Sequence, residues 1–479
     1  MRVVVCPYSE WVRHAGKSLQ ALLIFGGYIP NVAKARGVVP QTIVVENSYV
    51  DRDFLIDYSL YYARSFKPLK TRYTKRIHVF TERFDRTGFR RAFLSGASER
   101  YLRKLNDSYL GFVVVKPIPA DDEGNNLLGR CLLKPYPENA REDPGVTRKI
   151  IQVPQVAHLG GWRFENFKAA PFIVQDANVM ACATASLWVI TELLRHQYAL
   201  PLLSPCEITQ KATAFVGEGR AFPAEEGLSL QQMLYYIRSI GMDTESLRVH
   251  SFKRDGANSW KRELKECEED TVADFIRAFV SAGFPVIAEL AMVGPRKRRE
   301  EGGHAVVIVG FAERGGEVEE IYVHDDQFGP YTTVEPSNGS FLEWSCPWSC
   351  EFSKVLLIRL IAPIYQKVRM TFKRAYTLYK RWKENNIELG RAKLLLRTIS
   401  DYRRELMVKL SSGYIIKEHE REIRKVLEYP QPRFLWVVRG MVEDGGRFYE
   451  KCDYLFDATA SFISEYHCKP HRIQLPIAR

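Results

Sequence analysis

A single cysteine stands where a loop gives way to a helix in Gln175-Asp-Ala-Asn-Val-Met-Ala-Cys182-Ala-Thr-Ala-Ser-Leu-Trp188. Beyond it, Ala183, Leu187, Ile190 and Leu194 repeat at helical spacing, the stripe of a buried helix. Cys182 therefore belongs to the first turn, beside backbone N–H groups without intrahelical acceptors and at the positive end of the helix dipole. That setting favours the thiolate, the nucleophilic form of cysteine. Gln175, just upstream, carries an amide able to donate to a developing oxyanion. A lone cysteine is more often a small buried hydrophobe, so chemistry at Cys182 requires partners elsewhere in the chain.

Two later segments supply them. Glu301-Gly-Gly-His304-Ala-Val-Val-Ile-Val-Gly310 reads as a turn followed by an apolar strand with a histidine at its start. Ile321-Tyr-Val-His-Asp325-Asp326-Gln-Phe-Gly-Pro330 reads as a short strand tipped by two carboxylates, then a Gly-Pro turn. Cysteine catalysis needs a nucleophile, a base for its proton and a group that orients the base. Cys182, His304 and Asp325 fill these roles in order, with Asp326 as the alternative orienting acid. Gln175 and the Cys182 N–H would hold the oxyanion. The chemistry calls for no metal and no organic cofactor.

On these residues, positions 171–335 resemble a papain-like cysteine peptidase domain of the bacterial double-glycine (bacteriocin leader) peptidase type. The family's cysteine followed two residues later by Ala-Ser matches Cys182-Ala-Thr-Ala185-Ser186. Its middle segments resemble Gly227-Leu-Ser-Leu-Gln-Gln-Met-Leu-Tyr-Tyr-Ile-Arg-Ser-Ile-Gly241 and Phe275–Leu290; Gly303-His304 and His324-Asp325-Asp326 match its two later motifs. There are departures. The family's oxyanion glutamine lies six residues before the cysteine, whereas here 182 − 175 = 7. Ala183 replaces a glycine, and Asp326 a proline.

The resemblance implies an α+β fold in which an N-terminal cysteine helix packs on an antiparallel sheet. It also implies hydrolysis of a peptide or isopeptide bond through an acyl-enzyme. The same residues could instead pass the acyl group to an amine or deamidate a glutamine, as transglutaminase-like enzymes do, and a non-catalytic peptidase-like scaffold would bind protein or nucleic acid. Family members commonly sit on membrane exporters, so leader cleavage is not carried over here.

The surrounding chain must position these groups. Its 479 residues, 46% hydrophobic and 26% charged, are globular in composition and long enough for several domains. No run has the length of a bilayer span, the first residues lack a signal-peptide core, and nine scattered cysteines favour a reducing compartment. A cytoplasmic protein is expected. Three regions follow: 1–165, mixed α/β; 166–361, the peptidase domain; and 362–479, a basic helical segment and then a β-hairpin region. The outer regions are expected to pack together around the central one.

Within the flanks, Tyr49–Phe66 reads as an amphipathic helix, and residues 108–133 and 434–456 as β-hairpins. The net charge of +12 permits an acidic partner or nucleic acid. Basic residues interleave with aromatics in Arg64–Arg76 and in the helical Lys367–Lys383, although such stretches are more often solvated faces over a core. Pro295–Gly303 is a charged loop leading to His304, equally readable as a rim suited to an acidic peptide or as an ordinary solvated loop. Cys346-Pro-Trp-Ser-Cys350 lacks the second pair a zinc site needs, and Cys452, His467, Cys468 and His471 fit no closed zinc module.

Overall fold

The computed structural model describes residues 3–65, 69, 71–94, 99–139, 143–176, 178–215, 227–255, 259–294, 300–386, 390–411, 417–444, 447–460 and 471–474. The tip of the 295–303 loop and the Cys468/His467 positions lie outside these residues, as does part of the 64–76 run. The architecture is α+β, built on three main antiparallel sheets.

The first sheet has six strands in the order Val3–Pro7, Thr42–Tyr49, Thr74–Phe80, Tyr109–Pro119, Asn126–Leu133 and Phe172–Ile173. Its central strands are buried along most of their length because both faces are covered. Ile43 and Val45 point into the main core, while Val44 points into a second core with Phe80, Tyr109, Phe112 and Phe164. The 108–133 hairpin is present. The helix expected over 49–66 is shorter, Arg52–Leu60, capped by the Asp51 carboxylate on the Phe54 N–H and followed by a 3-10 turn.

The second sheet carries the residues of interest. Its order is Met242–Arg248, Lys354–Tyr365, Val286–Val293, Glu300–Arg314, Glu317–Asp325, Gly329–Ser337 and Ser340–Ser345. Ser340–Ser345 bridges back to Lys354–Tyr365 at Glu343↔Leu356, which curls the sheet towards closure. The strand Val146–Ile150 pairs with Glu300–Arg314, while Phe172–Ile173 joins the first sheet. The first two regions thus exchange strands across residue 165. This crossing locks them to one another.

The third sheet comprises Arg391–Thr398, Phe434–Asp444, Arg447–Asp457 and His471–Gln474, covered by the helices Ile399–Ser411 and Lys417–Glu428. The 434–456 hairpin is present. Residues 362–428 are not uniformly helical, because Arg391–Thr398 is a strand paired along its whole length with Phe434–Met441. Leu394 and Leu396 enter the main core and Leu395 the core on the opposite face, an arrangement only a strand allows three consecutive leucines. The third sheet packs against the helix Glu269–Ser281 through Phe279 and Trp436. Among the described strands, none of the first sheet pairs with one of the third. No helix among the described residues is long and apolar enough to cross a membrane.

Candidate active site

The cysteine helix runs Cys182–Tyr198, so Cys182 is its first residue. The preceding Ala181 is extended, and no side chain caps the first turn. The N–H groups there remain open to an anion, the electrostatic setting a thiolate or oxyanion requires. Residues Ala183 to Leu194 are buried. Cys182 itself is partly exposed, as a nucleophile must be. One turn on, the Ser186 hydroxyl donates to the carbonyl of Ala305 at 3.2 Å. That bond fixes the helix against the residue next to His304.

His304 lies in the strand Glu300–Arg314, opposite Leu290. The Glu301-Gly-Gly segment expected to be a turn continues this strand. The pairing slips between Met292↔Gly302 and Val293↔Glu300, a bulge at Glu301 beside the two glycines. The His304 Nε2 faces Asp325 Oδ1 at 3.3 Å and Asp326 Oδ1 at 3.8 Å. The approach to Asp325 is within ion-pair range but off the N–H line, since Nε2 has no aligned acceptor among the described residues. The attraction is therefore chiefly Coulombic. Cys182 also lies close enough to the ring to favour its charged form.

Burial by itself pushes the His304 imidazole down. The Asp325 charge, aided by Cys182 and by Asp326, outweighs it and raises the ring well above its ordinary value. Burial likewise opposes ionisation of Asp325, yet His304, the Gln327 N–H and the Trp348 indole hold its carboxyl below the usual range. Asp326 is raised instead, by burial and by the neighbouring Asp325 charge. Two adjacent carboxylates are thereby driven apart. Asp325 stays ionised against His304, and Asp326 tends towards the neutral acid. The two carboxyls are thus distinct, Asp325 lowered and Asp326 raised.

Asp325 is held by its own turn. Its Oδ1 accepts the Gln327 and Phe328 N–H groups at 2.9 and 3.2 Å, and its Oδ2 accepts the Trp348 Nε1–H at 2.9 Å. Trp348 comes from the 3-10 turn Pro347–Cys350. Its ring lies 5.1 Å from His304 and 4.8 Å from Phe328, edge-on to both. It covers the His304–Asp325 pair with apolar surface, which strengthens the charge interaction beneath. Sequence reasoning weighed the cysteines of this segment and passed over the tryptophan between them. Among the described residues, Cys346 and Cys350 join no metal-binding cluster.

Asp176 is the second residue missed. It occupies the position six before the cysteine (182 − 176 = 6), where the resemblance places glutamine. Its Oδ1 accepts the Asn178, Val179 and Met180 N–H groups at 3.1, 3.0 and 3.2 Å, folding the loop that delivers Cys182. Its Oδ2 accepts the Tyr62 hydroxyl at 2.7 Å and lies 3.8 Å from the buried Lys116 ammonium. Both partners belong to the N-terminal region, which therefore anchors the loop before Cys182 directly. Gln175 is half-buried on the same loop and makes no hydrogen bond among the described residues.

Other sequence candidates have structural roles. His324 is buried, its Nδ1 accepting the Tyr331 N–H at 3.1 Å and its Nε2 facing the Ala170 carbonyl at 3.4 Å. In the helix Phe372–Asn385, Phe372, Tyr379 and Trp382 are buried, so they are not free to stack on bases. Arg76 of the 64–76 run is also buried, paired with Glu46 and bonded to the His158 carbonyl. His304, Asp325 and Asp326 bring one nitrogen and two carboxylates within 4.8 Å, a possible ligand set for a divalent ion. Asp325, however, is already committed to two amides and an indole.

The geometry joins His304, Asp325 and Asp326 in one buried cluster, with the partly exposed Cys182 beside His304. Comparisons with protein-family models and with curated proteins found no match.

Proposed function

We propose that this protein is a cysteine peptidase of papain-like type, cutting a peptide or isopeptide bond. The observation that carries this reading is the Cys182–His304–Asp325 line, in which a helix-terminal thiol meets an imidazole backed by a carboxylate. The Cys182 sulfur attacks the carbonyl carbon as the thiolate, and the oxyanion is stabilised by N–H groups of the first helical turn. His304 gives its proton to the leaving amine, which departs and leaves a thioester on Cys182. Water then attacks the thioester, His304 takes the water's proton, and the acid product leaves with the thiolate restored. Asp325 keeps the imidazole oriented throughout, under the cover of Trp348.

The test is digestion of a diverse unfolded-peptide mixture by the full chain, with new termini mapped by mass spectrometry. Cleavage after a restricted set of sequences, absent in Cys182→Ala and His304→Ala, is the expected result. Cleavage undiminished in Cys182→Ala overturns the reading. Supplying a primary amine during the digestion separates hydrolysis from acyl transfer, because a transferase attaches the amine to the new carboxyl end.

A further inference from the structure

A second cysteine–histidine pair lies at the other end of the chain. Cys6 is near the end of the edge strand Val3–Pro7, Glu10 closes the following 3-10 turn, and His14 lies in the short helix Trp11–Ala15. The four-residue steps from 6 to 10 to 14 bring all three side chains to one place. Cys6 Sγ and His14 Nε2 are 3.5 Å apart, and these two atoms and a Glu10 carboxylate oxygen lie within 4.8 Å of one another.

We propose that Cys6, Glu10 and His14 form a site for one zinc-class divalent cation. Metal–sulfur and metal–nitrogen bonds of about 2.3 and 2.0–2.1 Å at a tetrahedral angle place the two ligand atoms about 3.5 Å apart. Cys6 and His14 already stand at that separation. Glu10 has room to close the remaining distance, since its side chain is 43% exposed and its ion pair with Arg13 is loose at 3.9 Å. Water completes four-coordination. Thiolate and imidazole together select zinc or cobalt over magnesium and calcium. On binding, the Cys6 thiol proton passes to solvent. The thiolate and the Glu10 carboxylate then balance the cation's two charges. Arg13 and Lys75 also lie near His14 and oppose the cation, so the site is one of moderate affinity. The ion ties the open edge of the six-stranded sheet to the first helix, a role independent of the peptidase reading.

The experiment is cobalt titration of the full chain carrying Cys182→Ala, which removes the thiol of the other cysteine–histidine cluster. One equivalent should bind with a thiolate-to-cobalt charge-transfer band, and added zinc should displace it. Cys6→Ser should abolish the band, and Glu10→Gln and His14→Gln should each weaken binding at least about tenfold. Absence of the band in Cys182→Ala, or its survival in Cys6→Ser, overturns the site and leaves only a thiol–imidazole hydrogen bond. Should Cys6→Ser fail to fold, the two Gln variants decide: wild-type affinity in both overturns the site, and weakened binding in both supports it.

Discussion

His304 and His324 sit on adjacent antiparallel strands, where His324 pairs in register with Val307. They are equally hidden, at 7% and 3% exposure. Yet their chemistry is opposite. Among the described residues, His324 meets neutral groups, namely the Ala170 carbonyl, the Tyr331 N–H and the rings of Phe172 and Tyr331. Complete burial with no counter-charge pushes it down to about 3, so it stays neutral. His304 faces two carboxylates and a thiol and is raised. Burial of a histidine therefore carries no functional meaning until its neighbours are known; here a pair of acidic residues separates a ring that favours its charged form from one that stays neutral.

Exchanging each ring tests this contrast most severely. His304→Gln should slow reaction at Cys182 by about a thousandfold or more, as loss of a catalytic base does. His324→Gln should leave that rate within about threefold while costing roughly 1–3 kcal/mol of stability in urea unfolding, for a disturbed buried hydrogen-bond pair. Equal kinetic losses in the two variants would erase the distinction.

Next in size is the anchor behind the cysteine. Asp176→Ala strands the Lys116 charge, the Tyr62 hydroxyl and three loop amides together. Breaking one partner out of a buried ion pair costs about 3–5 kcal/mol. The midpoint of chemical unfolding should fall accordingly, and the change should be partly rescued by Asp176→Asn, which retains an acceptor. A loss under about 1 kcal/mol would show that the N-terminal region does not hold this loop.

The smallest effect separates the two acids. A carboxyl raised in the folded state takes up more protons there than when unfolded, so stability is lost as pH climbs from the unfolded value near 4. Asp326→Asn should therefore be more stable than the parent at pH 8, by roughly 1–2 kcal/mol, with the gap closing towards pH 4. Asp325 has the reverse sign. Its depressed carboxyl contributes stability above the unfolded value that disappears as pH falls, so Asp325→Asn should be destabilising at pH 8. Matching pH profiles for both variants would mean that the two carboxyls share one role.

Much of the site was legible in the sequence because its signals are local. A helical stripe starts at Cys182, an apolar strand starts near His304, and a second strand ends at Asp325. The supporting groups were not legible, since their partners are remote. Tyr62 and Asp176 are 114 residues apart, and Trp348 reaches Asp325 across a separation of 23. Nothing in either local stretch announces the other. In the fold, the hairpins were readable from alternation and turns. The strand Arg391–Thr398 was not, because Leu394-Leu-Leu396 has no period and lies between basic helices. Gly302 and Gly303 look like a turn in any one-dimensional reading, and only pairing with the strand Val286–Val293 makes them strand residues beside a bulge at Glu301.

The most direct test of the central claim is the rate of Cys182 modification by a thiol-reactive electrophile near pH 6, followed by intact mass. An ordinary thiol, with a pKa near 8.5, is almost wholly protonated there. The account predicts rapid addition of one adduct, lost in Cys182→Ala and sharply slowed in His304→Ala. Labelling of Cys182 no faster than an ordinary thiol, and indifferent to His304, would contradict it.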